Sequence, residues 1–322
     1  MKHSIFDNYK PQTKTINVVL VNGGVGDLVA ALTPIDYMLR KYPWVTPLVW
    51  MPDMVVDLAR NLLPEGTAIG GYSDMKGKYE PKRATKTTQW DGHTSAMKLH
   101  SVDYAYIKML DELPPIEERN YLRLKPRPHC RKPEKPYVVI TTGFTADVKE
   151  FLPEYINAVV DFILSKGYGV IFVGTKEADT GGKHKITATH RKEIDFHRGV
   201  DLVGKTTLLE AAEVMYYASA VVGVDGGLLH VAGTTDVPIV GGFTFITPES
   251  KMPYRHNKLG WNFYPVIPNP ELKCHGCQVT TNMLYGHDYR NCLWKDVDES
   301  MLKACVKQMR PEKFIAHLSN IL

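Results

Sequence analysis

Residues 15–22 (TINVVLVN) form a β-branched apolar run that stops at Gly23-Gly24, and after Asp27 apolar side chains recur at Leu28, Ala31, Leu32, Ile35, Met38 and Leu39. The pattern reads as strand, glycine turn, helix. The same unit returns two hundred residues later in residues 221–230 (VVGVDGGLLH), where an apolar run meets Gly226-Gly227 and a second helix begins. A strand that feeds directly into a helix can pair with the next strand only by a crossover. Two such units therefore commit the chain to an α/β architecture with parallel sheets.

Further elements extend the alternation. Residues 46–51 read as a strand, residues 54–63 as a helix ended by Pro64, and residues 102–110 as another helix. Pro34 is expected in the first turns of the first helix, where a missing N–H costs least. Residues 70–100 lose all periodicity and read as an acceptor-side loop. Four prolines in residues 125–136 (KPRPHCRKPEKP) mark an interdomain linker. Alternation then restarts with strands at 137–141, 169–174, 220–224 and 238–243 and helices at 153–166, 208–218 and from Leu228. The domains expected are 1–130, 137–298, and a tail at 299–322 of two short helices split by Pro311, able to pack back on the first domain. A length of 322 residues with 44% hydrophobic and 23% charged composition suits two ordinary cores.

No apolar run approaches the roughly 20 residues a bilayer span needs, and the first residues are polar. A soluble cytoplasmic protein is expected, in the host cytoplasm if a phage encodes it; five cysteines agree with a reducing compartment. The formal charge of +4 is unevenly spread. Between residues 74 and 98 six basic side chains (Lys76, Lys78, Lys82, Arg83, Lys86, Lys98) face three acidic ones, and residues 121–135 add six more against Glu134. The first half should attract a polyanion.

Two constellations carry chemistry. In Asn22-Gly-Gly-Val-Gly-Asp27 the glycines Gly23, Gly24 and Gly26 miss the spacing of a dinucleotide fingerprint, which disfavours a nicotinamide dehydrogenase. Asp27 at the helix start is either an N-cap or a base. In Asp225-Gly-Gly-Leu-Leu-His230 the glycine pair leaves backbone N–H groups free at a helix start, and His230 projects one turn further in. That corner is either a diphosphate site or a capped turn with a core histidine.

Taken together, Gly26-Asp27 with Leu32-Thr33-Pro34, the run Leu202-Val-Gly-Lys-Thr-Thr-Leu-Leu-Glu210, the segment Asp225 to His230, Val237-Pro238 and Gly241-Gly242-Phe243 resemble the heptosyltransferase family of glycosyltransferases (family nine) across residues 17–297. The resemblance implies a GT-B fold, two Rossmann-like domains around a central cleft. It also implies an inverting, metal-independent transfer from a nucleoside-diphosphate sugar, with no cofactor. Asp27 would be the general base. The implied donor-binding set is Gly26, Thr142, Lys149, Lys176, Glu177, Lys205, Asp225, Gly226, Gly227 and His230. Lys149 precedes Phe151-Leu-Pro153 where the family has Lys-x-Trp-Pro, a departure at the aromatic position.

The acceptor implied is the phosphorylated inner core of lipopolysaccharide. DNA bearing a hydroxymethylated base is the alternative, with Lys76, Lys78, Lys82, Arg83, Lys86 and Lys98 on phosphates and Trp90, Tyr79 or His93 near an extruded base. A non-catalytic nucleotide-binding module is a further alternative. Cys274-x2-Cys277-x9-His287-x4-Cys292 has the ligand types of a structural zinc site, with free buried thiols as the other reading and Cys130 and Cys305 outside the set.

Overall fold

The computed structural model describes residues 14–19, 24–75, 86–87, 99–119, 122–128, 130, 133–143, 147–175, 178–179, 185–186, 193–272, 274–277, 292, 294 and 298–322. In the N-terminal half β1 (Lys14–Val19), α1 (Val25–Lys41), β2 (Val45–Met51), α2 (Asp53–Leu62) and β3 (Ala68–Gly71) alternate as the periodicity demands. A two-residue β4 (Lys86–Thr87) and α3 (Ser101–Leu110) complete it. The sheet runs β3-β2-β1-β4, all parallel, with Ile16 level with Pro47 and Val18 with Lys86. The short β4 interrupts what periodicity alone presents as one long loop, because two residues are too few to show a period.

The C-terminal half is built from β5 (Tyr137–Thr142), α4 (Pro153–Ser165), β6 (Gly169–Gly174), β7 (Val200–Asp201), α5 (Leu208–Tyr216), β8 (Ala220–Val224), α6 (Gly227–Ala232) and β9 (Ile239–Gly242). After these come α7 (Pro248–Lys251), the hairpin of β10 (Tyr254–Arg255) and β11 (Lys258–Leu259), β12 (Phe263–Val266), α8 (Ala304–Lys307) and α9 (Pro311–Ile321). Its sheet order is β12-β9-β8-β5-β6-β7, parallel throughout. Buried on both faces, β5 and β8 read as continuous apolar runs, as central parallel strands do.

Both sheets reverse direction of winding at a central strand: β1 has β2 on one side and β4 on the other, and β5 lies between β6 and β8. Crevices beyond the carboxyl ends of such strands are the natural ligand sites of open α/β sheets. The two halves meet there. Helix α1 packs on α6 and α2 on α5, the Leu124 N–H donates to the Thr234 carbonyl, and one apolar cluster runs from Ile16 and Leu32 through Leu124 to Leu229 and Phe243.

Two expectations change. Pro34 lies inside α1 rather than in its first turns, and burial of that helix against its neighbours outweighs the lost backbone bond. Helix α9 packs on α4, β8, β9 and β12 of the C-terminal sheet, with Phe314 stacked on Phe151 at 4.6 Å and Leu318 in the same core, rather than on the N-terminal half. The proline-rich linker is pinned: Arg127 makes a bidentate contact to the buried Glu213 at 2.8 and 2.7 Å, donates to it again through its backbone N–H, and Tyr217 donates to the Cys130 carbonyl.

Candidate active site

Asp27 stands in the first turn of α1. Gly24 is the N-cap and receives no side-chain hydrogen bond, so the capping role considered for Asp27 is not the one it plays. Instead its Oδ1 accepts from Lys251 Nζ at 2.8 Å, with the two side chains 24% and 19% exposed. Burial alone would raise the Asp27 carboxyl; the Lys251 ammonium, by charge and hydrogen bond, with smaller contributions from His230 and Lys149, holds it below the usual carboxylate value.

The facing wall follows β5 and β8. Lys149 ends a single 3-10 turn after β5 and places Nζ 2.7 Å from Oδ2 of Asp225 and 5.3 Å from the Phe245 ring centroid. Burial opposes ionisation of Asp225, but Lys149 first, then Lys251 and His230, keep it charged. Gly226, extended at φ −179°, caps α6, and a Cβ on Gly227 would collide with Val25. Close approach of α1 and α6, rather than a special backbone angle, is what this glycine secures. The parallel register that sets Ile140 beside Val222 carries Thr142 to the level of Val224, next to Asp225.

His230 lies between the two ion pairs. A Cβ on Gly26 would run into its imidazole, so the first helix start and the second are in direct contact. Burial, reinforced by the Lys251 and Lys149 charges against the pull of Asp225 and Asp27, brings the imidazole down to about 4. Its neutral form is favoured in this arrangement.

The structure thus brings Gly26, Asp27, Lys149, Asp225, Gly227 and His230 together where α1 meets α6, with Gly226 capping that helix and Thr142 at the end of the adjacent strand β5. Lys205 is not among them: its ammonium reaches the Asp201 carbonyl at 2.6 Å and the Asp201 carboxylate at 3.5 Å, beside β7. Lys76, Lys78, Tyr79, Lys82, Arg83, Trp90, His93, Lys98, Lys176, Glu177 and His287 lie outside the described residues, and Lys86 is described only in the backbone of β4. Lys251 is the residue that sequence reading passes over. It sits in a four-residue helix with no periodicity and is joined to Asp27 only by the fold.

Of the cysteines, Cys277 and Cys305 are buried and both thiols are pushed up to about 12, by burial first and then by Cys274 and Cys292, with Cys305 also acting on Cys277. Cys305, placed outside the cluster from spacing, belongs with it, because α8 returns it to the loop that follows β12. As placed, no three His, Cys, Asp or Glu side chains among the described residues could hold a metal ion.

Residues 100–274, more than half of the chain, match the profile of glycosyltransferase family 9 (heptosyltransferase). The chain belongs to this family. Family members similar to it include lipooligosaccharide heptosyltransferase 2 of Haemophilus influenzae, 26% identical over 121 residues, which is 37% of this chain and 34% of that one. Lipopolysaccharide heptosyltransferase 2 of Salmonella typhimurium is 26% identical over 124 residues, 38% of this chain and 35% of that one. The matched segment spans about a third of these relatives' own length. Among solved structures, the iron-containing dodecameric glycosyltransferase TibC of enterotoxigenic E. coli superposes with a TM-score of 0.71 at 19% identity, over 97% of this chain and 77% of that one. E. coli ADP-heptose lps heptosyltransferase II gives 0.60 at 14% identity, over 95% and 98%. These neighbours establish the GT-B fold of two parallel-sheet halves around a cleft. Among the described residues no helix is long and apolar enough to cross a membrane.

Proposed function

We propose that the chain transfers a heptose from a nucleoside-diphosphate donor to a hydroxyl of a lipopolysaccharide-type inner core, with inversion and without a catalytic metal. The observation that carries the reading is the pairing of Asp27 with Lys251 and of Asp225 with Lys149, two ion pairs brought together around His230 at the carboxyl ends of the strands where both sheets switch direction. A solved neighbour described as holding ADP-D-beta-D-heptose supports the choice of donor. The curated relatives, both lipopolysaccharide or lipooligosaccharide heptosyltransferases, support the choice of acceptor. No relative reported above is named for DNA, so the DNA reading has no support and is set aside.

In this reading the acceptor hydroxyl enters beside Asp27. Its oxygen attacks the anomeric carbon, its proton passes to the Asp27 carboxylate, and the bond from that carbon to the phosphate oxygen breaks with its electron pair going to the diphosphate. Lys149 and Lys251, each held by a carboxylate in the resting site, are the ammonium groups able to turn toward that growing charge. As Lys251 is shared with the diphosphate, Asp27 loses its strongest stabilising partner and becomes a better base. The same movement thus helps both ends of the reaction.

The test is conversion of ADP-heptose and a phosphorylated inner-core acceptor to the extended saccharide, followed by mass spectrometry. The companion measurement is thermal shift with ADP, where ligand at 100 times its Kd adds about 2.7 kcal/mol. ADP binding without transfer from any sugar donor would leave only a nucleotide-binding module.

A structural metal is proposed separately for Cys274, Cys277, Cys292 and Cys305. Ligand type and number match a thiolate site, TibC is described as iron-containing, and the four thiols influence one another electrostatically. Their present arrangement does not meet the geometry, and no step of the transfer passes through this cluster. Elemental analysis of protein purified without chelator reads the metal content; a stoichiometry near zero for both iron and zinc ends the proposal.

A further inference from the structure

Residue 100 opens α3 in the N-terminal half, yet its imidazole is 6% exposed and points across the boundary between the halves. Its Nδ1 accepts the Val102 N–H at 3.1 Å, which caps the helix and fixes that nitrogen as unprotonated. Nε2 therefore carries the proton, and it donates to the Met252 carbonyl at 2.6 Å, a contact spanning 152 residues of sequence. Met252 immediately follows Lys251 at the end of α7. Around this link the same loop is gripped again: the Tyr254 ring meets His100 edge-on at 4.6 Å, and the Tyr254 hydroxyl approaches Asp103 at 3.5 Å, where Arg119 also binds at 2.9 Å. Asn257 donates to the Glu117 carbonyl at 2.8 Å.

We propose that His100 is a positioning residue for the Asp27 carboxylate: its Nε2–H holds the Met252 carbonyl across the boundary between the halves and so keeps Lys251 seated on Asp27. The proposal deepens the transferase reading, on which its catalytic consequence rests. A lysine on a four-residue helix has little rigidity of its own, and loss of one buried hydrogen bond to the adjacent carbonyl frees the segment that aims it. The groups facing Asp27 are Lys251 from α7, His230 from α6 and Lys149 from the turn after β5. The first of these is the one His100 governs. His100 itself is held far below the usual imidazole value, down to about 3, by burial and by the neighbouring His230, Lys251 and Arg119 charges, against the pull of the Met252 carbonyl. The imidazole thus favours its neutral form, and its two hydrogen bonds select which nitrogen carries the proton.

Two substitutions separate positioning from capping. His100→Asn retains a good N-cap acceptor for Val102 but is too short to reach Met252; His100→Gln keeps a donor at the distance of Nε2 and gives up the cap. The readout is the titration of the Asp27 carboxyl by carbon-13 NMR, assigned from the signal absent in Asp27→Asn, with the melting temperature measured alongside. In His100→Asn the Asp27 midpoint should rise by about one pH unit or more, a tenfold change in proton affinity, with some loss of melting temperature from the broken buried bond. His100→Gln should keep the wild-type midpoint while melting lower. An Asp27 midpoint unmoved in His100→Asn overturns the proposal, as does an equal rise in both variants. The titration needs no substrate, so a wild-type protein that transfers no sugar would sink the transferase reading and leave this outcome still readable.

Discussion

Lys251 Nζ and Asp27 Oδ1 lie 2.8 Å apart although 224 residues separate them, and this contact joins the start of the first helix to a loop of the other half. In the proposed transfer, the acid that accepts the proton is thereby stored ionised next to a cation able to meet the leaving group. Five measurements test what this arrangement implies.

Replacing Asp27 by Asn preserves shape and removes the proposed base. Turnover should fall by about 10²–10⁴-fold, while ADP binding by calorimetry stays within a factor of a few. Loss of nucleotide affinity equal to the loss of turnover would mean that Asp27 holds the donor rather than the proton.

Lys251→Met leaves burial as the main influence on the Asp27 carboxyl, so its proton affinity rises. The folded-state value of Asp27 now lies below 3.8, which keeps it ionised, and its stabilising contribution intact, above that pH. The acid limb of the kcat/KM profile should therefore move to higher pH in the variant, with kcat reduced. A profile identical to wild type would separate Lys251 from the base.

Gly26→Ala adds a methyl that meets the His230 ring, and Gly227→Ala one that meets Val25. Each should cost about 1–3 kcal/mol of stability as overpacking at a tight helix contact, read from urea unfolding, and each should weaken donor binding by wedging the crevice open. A fully stable Gly26→Ala protein would contradict the close contact of α1 and α6.

Glu213→Ala should lower the melting temperature by several degrees without changing KM for donor, because Arg127 loses the buried carboxylate that pins the linker. The Arg127 contact holds Glu213 down to about 2 against the usual 4.5. Its folded value is the lower one, so its contribution is complete above about 4.5 and disappears as the pH falls toward 2. Acid unfolding of the wild type should therefore lose its advantage over Glu213→Ala within that window.

If the thiols of Cys274, Cys277, Cys292 and Cys305 hold a metal, Cys305→Ser should lower the metal content and melting temperature. Treatment with a strong chelator should do the same to the wild type and leave ADP binding in place. Cys130→Ser serves as the control, since Cys130 lies on the linker near Glu213.

Residues 15–39 and 220–233 announced themselves because a strand that is buried on both faces and a helix with one buried face leave different periods in the chain, and the glycines between them mark where α1 and α6 must nearly touch. Asp27, Lys149, Asp225 and His230 could be named from those local units and from the family pattern they form. Lys251, His100 and Cys305 could not, for one physical reason. Their partners lie 224, 152 and, for Cys305 with Cys277, 28 residues away, and α7 and α8 are too short to carry a period. Chain-local chemistry decides which elements form and which residue types stand at their ends. The packing of the two halves against each other decides which charge faces which: here it seated a lysine on Asp27 and favoured a neutral histidine between two ion pairs, while Lys205 is turned away to Asp201.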